Sequence, residues 1–207
     1  MLSELYAIKQ IDYKTAMDIV IKNHYLHRKA PCSFAFGLFD KDEIVGVIIY
    51  GKPASAPLCK GICGEDESKN VGELTRLWLD DKLPKNCESF LIGNTIRKQK
   101  YQIVVSYADS SQNHIGIVYQ ATNWIYTGLS AKRTECYIEG LEGQHCRTLW
   151  RNYTKKQLYE KYGDRLKEKQ RPQKHRYVFF NCNKRRKREL IKKLRYPILS
   201  YPKKGKQ

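Results

Sequence analysis

The stretch YQIVVSYADSSQNHIGIVYQATNW, Tyr101–Trp124, decides how the rest of the chain is read. Its first half, Tyr101–Ala108, is a nearly continuous apolar run, the pattern of a strand covered on both faces. Its second half sets Ile117, Val118, Ala121 and Trp124 at helical spacing, which predicts an amphipathic helix with Ile117 and Trp124 in the core. Between them stand Asp109, Ser110, Ser111, Gln112, Asn113 and His114. A buried strand followed by a helix belongs to an α/β sheet. The carboxyl edge of such a sheet is a usual ligand crevice, and the amides of a helix N-terminus point outward there.

The flanking sequence fills in the sheet. LYAIKQID (Leu5–Asp12) alternates as a strand, and YKTAMDIVIKNHYL (Tyr13–Leu26) reads as a helix with Asp12 as N-cap candidate and Ala16, Ile19, Val20 and Leu26 apolar. SFAFGLFD (Ser33–Asp40) and EIVGVIIYG (Glu43–Gly51) form a hairpin. PASAPLCKGICGEDESKN (Pro53–Asn70) reads as a loop, VGELTRLWLDD (Val71–Asp81) as a strand, and Leu83–Lys100 as a helix after Pro84 with Phe90, Leu91 and Ile96 inward. WIYTG (Trp124–Gly128) and RTECYIEG (Arg133–Gly140) are closing strands. The order β-α-β-β-β-α-β-α-β predicts an α/β fold with a mixed central sheet flanked by helices.

Charge divides the chain. The formal net charge is +18, yet residues 1–150 carry 18 Lys+Arg against 17 Asp+Glu, whereas residues 151–207 carry 21 against 4. This predicts a nearly neutral domain, residues 1–140, and a basic C-terminal extension, residues 141–207, partly packed on it. In the extension, Leu149–Lys169 reads as a basic helix with Leu158, Tyr162 and Leu166 on one face, and KHRYVFF (Lys174–Phe180) as a short strand. KRRKRELIKKLRYP (Lys184–Pro197) reads as a basic helix that packs through Leu190, Ile191 and Leu194. Aromatics interleave the cations, which argues against a merely solvating tail. A polyanion, double-stranded DNA above all, is the expected partner, with Lys184, Arg185, Arg186 and Arg188 on its phosphates. No apolar run reaches the roughly 20 residues that cross a bilayer, and the N-terminus lacks a signal-peptide core, so a cytoplasmic protein with no membrane partner is expected. The seven cysteines, including the Cys59/Cys63 pair, read as free thiols, because no second ligand pair follows to complete a zinc site.

Several residues suit chemistry. Asp109 at the strand end is either a functional carboxylate or the N-cap of the next helix. His24, with Tyr25 and His27, is either a base or metal ligand, or a favourable group at a helix C-terminus. Arg76 in this apolar strand either turns inward, where it needs Glu73, Asp109 or a bound phosphate as anionic partner, or takes an outward strand position. Strict alternation along Glu73–Leu79 puts Glu73 and Thr75 on one face and Leu74 and Arg76 on the other, and Leu74 beside Arg76 favours the inward reading. Ser106 and Tyr107 cluster at the same junction, Tyr107 as proton donor to a leaving group. Gln112, Asn113 and His114 are candidates for reading a base edge, the amides through bidentate pairing with adenine.

The element order resembles the GNAT acyltransferases. NHYLHRKAP (Asn23–Pro31), ELTRLWL (Glu73–Leu79), SYADSSQNHIGIVYQATNW (Ser106–Trp124) and the ending KHRYVFF with KKLRYPILSYPK (Lys192–Lys203), in this order, resemble the phage Mom family of DNA-modifying proteins over about residues 15–203. The resemblance implies a GNAT-like fold with acetyl-CoA or another acyl-CoA in the gap between two splayed strands, along Leu77 and Leu79. Its pyrophosphate would rest on the helix start at Lys85, Asn86 and Ser89, although the glycine-rich GNAT signature is missing there. The resemblance also implies transfer of a carbamoylmethyl group to the exocyclic N6 amine of adenine, which protects phage DNA from restriction. His24, Tyr25, Arg76, Ser106, Tyr107 and Asp109 are then the catalytic candidates. Because attack on a thioester carbonyl would give an amide and not a methylene–nitrogen bond, iron held by His24, Tyr25 and Asp109 is a further expectation. A conventional N-acetyltransferase and a non-catalytic nucleic-acid-binding protein are the alternatives.

Overall fold

The computed structural model describes residues 1–141 and 153–203. A short helical turn, α1 (Leu2–Leu5), leads into β1 (Ala7–Gln10) and α2 (Tyr13–Asn23). The side chain of Asp12 caps α2, accepting the Thr15 amide at 3.0 Å. The hairpin β2 (Phe34–Asp40) and β3 (Glu43–Gly51) follows, then α3 (Ala56–Cys63), β4 (Val71–Leu79), α4 (Cys87–Thr95), β5 (Ile103–Asp109), α5 (Ile117–Ala121) and β6 (Ile125–Leu129). Beyond these lie β7 (Arg133–Ile138), α6 (Lys155–Tyr162), β8 (Leu166–Arg171), β9 (Lys174–Phe180) and α7 (Lys184–Lys193).

Seven strands form one mixed sheet in the order β1-β2-β3-β4-β5-β9-β6, antiparallel except for β4 and β5. The β4–β5 pairing is short. It joins Val71 to Ile103, Gly72 to Val104 and Glu73 to Val105, and then stops, while both strands run on for six and four more residues to Leu79 and Asp109. The two strands splay apart, the gap that the GNAT resemblance calls for. One face of the sheet packs on α4 and α5 through Leu74, Val104, Leu91, Ile92 and Tyr119. On the other face α3 and α7 cover Val71, Ile103, Val105 and Val178, and α2 covers Ala35, Val47 and Ile49.

Three readings change. The segment Pro53–Asn70 is not all loop. Ser55 caps α3 by accepting the Leu58 amide, and Gly64 ends it at φ 102°. The amphipathic helix of the opening stretch shrinks to the five residues of α5, behind a 3-10 turn at Ser110–Gln112. Gly116 starts α5 at φ 81°, and a Cβ there would sit 2.4 Å from the Tyr177 ring, so the helix begins where only glycine fits. Trp124 is fully buried as expected, but Ile117 is 55% exposed and Tyr119 takes the inward position instead.

The boundary at residue 140 also changes meaning. β9 lies between β5 and β6, in register with β5 from Lys174–Asp109 to Phe180–Ile103. The chain beyond 141 therefore completes the sheet, because the continuous apolar β5 needs a partner on its second edge. β7 leaves that sheet and pairs with β8, forming a two-stranded ribbon. α6 backs it through Cys136, Ile138, Leu158 and Leu166, with Leu166 on a strand and not on the expected long helix. On α7, Leu190 is buried and Leu194 packs inward, while Ile191 is exposed. The C-terminal segment lies along the free edge of β6, with the Leu199 amide donating to the Tyr126 carbonyl at 3.0 Å and Tyr201 to the Trp124 carbonyl at 2.7 Å. The segment thus covers an edge that would otherwise offer unpaired backbone groups.

A candidate active site at the splayed strands

The splay opens into a cleft of about 1060 Å³. Its lining includes His24, Tyr25, Arg76, Ser106, Tyr107 and Asp109, all six catalytic candidates from the sequence. Leu77, Leu79, Asn113 and His114 line it too. Lys85, Asn86, Ser89 and Gln112 do not. Asn86 and Ser89 face a separate groove on the far side of α4, whereas Asp80, Asp81 and Glu88 stand at the cleft near the start of that helix. The expected pyrophosphate cradle is thus acidic where it should be basic.

Arg76 is aimed by a bulge. Tyr50 pairs with Leu74 and Ile49 with Arg76, so Thr75 has no partner opposite it. The extra residue reverses the alternation and turns Arg76 onto the face that also carries Glu73, not the opposite one. The Thr75 hydroxyl fixes the bulge, donating to the Pro31 carbonyl at 3.0 Å. The Arg76 guanidinium donates to the carbonyl of Thr75 at 2.6 Å and to those of Arg28 and Lys29 at 3.4 Å, and its buried Nε has no partner among the described residues. No carboxylate lies within ion-pair reach of it among the described residues, so its charge is available to an anion.

Glu73 is the residue that sequence reading undervalued. It sits on the last rung of the β4–β5 ladder. Burial pushes its carboxyl up to about 6, against the pull of Arg76 and Lys174. A lone acid in an apolar strand was the available signal.

Asp109 takes the capping role and also lines the cleft. It caps the following turn by accepting from the Ser111 amide at 3.1 Å and hydroxyl at 2.7 Å, and it pairs with Lys174 at 2.5 Å across the β5–β9 ladder. Burial opposes ionisation, but Lys174 and Ser111 outweigh it and hold the carboxyl below its ordinary value. The Tyr25 phenol lies against this carboxylate; burial and the negative charge raise its pKa. The Tyr25 ring is 43% exposed, stacks on His24 at 4.4 Å and meets the His114 edge at 6.4 Å.

Three candidates are occupied otherwise. α2 ends at Asn23, so His24 and His27 share no helical face; His27 turns to the Ile21 carbonyl at 2.9 Å. The buried His24 accepts the Leu26 amide on Nδ1 at 3.1 Å. A backbone N–H can only donate, so the His24 lone pair is used and Nε2 carries the proton. Burial, then Arg76, lowers its pKa to about 4. A ring so placed has no free lone pair with which to act as a base. His24, Tyr25 and Asp109 do meet at the cleft, but Asp109 is held by Lys174 and Ser111 and the described residues hold no group of three or more His, Cys, Asp or Glu suited to a metal, so the expected iron gains no support here. The Ser106 hydroxyl bonds to the Leu74 carbonyl at 3.1 Å and to the Tyr119 hydroxyl at 2.8 Å, bridging the strands where the ladder stops. Burial drives the Tyr107 phenol well above its usual pKa, which suits it poorly to donating a proton. As for the cysteines, all six described ones are free thiols, Cys59 and Cys63 buried on α3.

A model of the Mom protein family matches residues 5–203. The chain belongs to the Mom protein family. It is 26% identical over 213 residues to the methylcarbamoylase Mom of Escherichia phage Mu, covering 96% of this chain and 86% of that one. Among solved structures it is similar to yncA, a putative acetyltransferase of Salmonella typhimurium with its cofactor acetyl-CoA (9% identity, 86% and 95% of the two chains, TM-score 0.48). It is also similar to the ribosomal-protein-S5-alanine acetyltransferase of Vibrio fischeri (13%, 86% and 94%, 0.47). For this Mom family member, the cleft gathers the family-word residues of three separate segments: His24 and Tyr25, Arg76, and Asp109 with its neighbours. No described helix is long and apolar enough to cross a membrane.

Proposed function

We propose that this protein transfers a carbamoylmethyl or closely related group to the exocyclic N6 amine of adenine in phage DNA, in the cytoplasm of the bacterial host, and so shields that DNA from restriction. The family supports DNA as the substrate. The observation that carries the chemistry is Glu73, a carboxyl with a pKa near 6 at the mouth of the splay, beside two cations. The adenine amine is a weak nucleophile, since its lone pair is delocalised into the ring. It gains reactivity when a base takes its proton as the new bond to carbon forms and the bond from that carbon to the donor's leaving group breaks, the leaving group departing with the electron pair. Glu73 ionised at neutral pH is that base. The amine is also hidden in the duplex, so the base must leave the stack. Tyr25 and His114 offer it aromatic surfaces, and Asn113 an amide for its edge. Arg76 steadies negative charge on the donor.

The donor lies along Arg76–Leu79, where β4 pairs with β3 alone and leaves its other backbone edge to a ligand. That edge suits the amides of an acyl-CoA arm; Asp80, Asp81 and Glu88 do not suit its diphosphate. The product mass therefore identifies the transferred group. Plasmid DNA from a host expressing the protein, digested to nucleosides and analysed by mass spectrometry, should contain a new adenosine adduct that disappears with Glu73→Gln. Unmodified DNA alongside acetylated protein or small amines would replace this reading with conventional acetyl transfer. Binding without any product would leave a nucleic-acid-binding protein.

A further inference from the structure

We propose that the β7–β8 ribbon is the surface that carries the phosphate backbone of the DNA strand into the cleft. The inference rests on the DNA reading above. The ribbon register pairs Arg133 with Arg171, Glu135 with Lys169 and Tyr137 with Lys167. Alternation puts these six on one face, since the other face holds Cys136, Ile138 and Leu166 against α6. The outer face thus has four cations and one acid. The ion pair of Lys169 with Glu135 is long, 3.8 Å, and Lys169 also lies 5.2 Å over the Tyr137 ring. Arg133 and Arg171 have no ion-pair partner among the described residues.

The row ends at the active site. Arg133 and Arg171 line the same cleft as Glu73 and Asp109, and the Arg133 charge reaches the Tyr107 phenol. Lys174, three residues past Arg171, continues the positive track to Asp109. The helix α7, where the sequence placed the DNA contacts, has no residue on the cleft. Arg186 turns inward to Glu67 at 2.5 Å, and Lys184 and Lys187 face the separate groove. The exposed cations of α7 add positive potential at a distance; the ribbon supplies the contacts beside the chemistry. Such contacts hold register and carry no base information.

The test compares two triple variants of the full chain, Lys167→Ala with Lys169→Ala and Arg171→Ala, and Lys184→Ala with Arg185→Ala and Arg188→Ala. Affinity for a fluorescent duplex oligonucleotide is followed by anisotropy from about 50 to 200 mM salt. Each lost phosphate contact should lower the slope of log K against log salt by about 0.9. The ribbon variant should bind at least about tenfold more weakly at low salt, with a slope flatter by about 2 to 3, and with an unchanged circular dichroism spectrum. The α7 variant should keep most of the slope. If the ribbon variant keeps wild-type affinity and slope, or if the α7 variant takes the whole loss, the ribbon is not the DNA surface although DNA binding stands. A wild-type chain that binds anionic lipid vesicles and no DNA would overturn this inference and the DNA reading together. Charge reversal, Lys167→Glu with Lys169→Glu, gives a second check should the alanine variant fold poorly.

Discussion

His24 and Glu73 show how burial, the largest influence on each, sets two opposite pH dependences within one cleft. The folded pKa of His24, about 4, lies below its ordinary 6.5. The unfolded chain therefore takes up the proton first, and stability that is complete above pH 6.5 drains away as the pH falls towards 4. His24→Asn keeps an acceptor for the Leu26 amide and removes the titration. Melting temperature against pH should be flatter between pH 6.5 and 4 for this variant than for the wild type; a parallel curve would assign the acid limb to other groups. Glu73 runs the other way. Its folded pKa, about 6 against 4.5, makes the unfolded chain lose the proton first, so the native state is penalised as the pH rises from 4.5 through 6. As the proposed base it should give a kcat/KM that rises through about pH 6 and then levels. Glu73→Gln should lower the rate by about 10² to 10⁴ and erase that limb. A loss of rate accompanied by an unchanged pH limb would place the base elsewhere.

At the level of elements, adjacent cations on α7 differ more than their sequence suggests. Among the described residues, Arg185 is held only by a 3.6 Å contact to Glu189, with its side chain 93% exposed. Arg186 reaches Glu67, a buried carboxylate that also pairs with Lys193 at 2.7 Å and accepts from Asn70 at 2.9 Å. Glu67 precedes β4, so this cluster ties α7 to the strand that carries Glu73 and Arg76. Removing Arg186 leaves Glu67 buried with less compensation. Arg186→Ala should cost on the order of 2 kcal/mol, below the 3–5 of a fully buried pair, whereas Arg185→Ala should stay within about 0.5 kcal/mol. Urea denaturation of the two variants checks this, and equal losses would mean that Arg186 does not anchor the helix.

Across the whole molecule, charge is sorted around the cleft. Asp80, Asp81 and Glu88 stand at the β4 and α4 end, and Arg133, Arg171 and Lys174 at the β9 and ribbon end. A polyanion approaching this field meets the ribbon end first, which orients it before any base contact forms. Salt should then act on binding and not on chemistry. Raising salt from about 50 to 200 mM should increase KM for DNA by about 40-fold if three phosphates are neutralised, with kcat at saturating DNA unchanged. A salt-dependent kcat would mean that the ionic contacts also change in the transition state.

The sequence by itself determined the buried strand Ile103–Asp109, the hairpin β2–β3, the cap at Asp12 and the segment 151–207 as the source of positive charge. It also singled out His24, Tyr25, Arg76 and Asp109. These are local: apolar period, turn chemistry, capping side chains and composition are all written within a few residues. Only the tertiary structure decided which segments meet. Periodicity says that β5 is covered, not that β9, some 70 residues later, covers its edge. Alternation assigned Arg76 to the face opposite Glu73, and the bulge at Thr75 reversed it, because a bulge depends on how the partner strand β3 is paired. The roles of His24 and Arg186 turned on single contacts, to the Leu26 amide and to Glu67, that composition cannot report. Charge count located the cations on the chain, while the fold alone separated those that dock α7 from those that line the cleft.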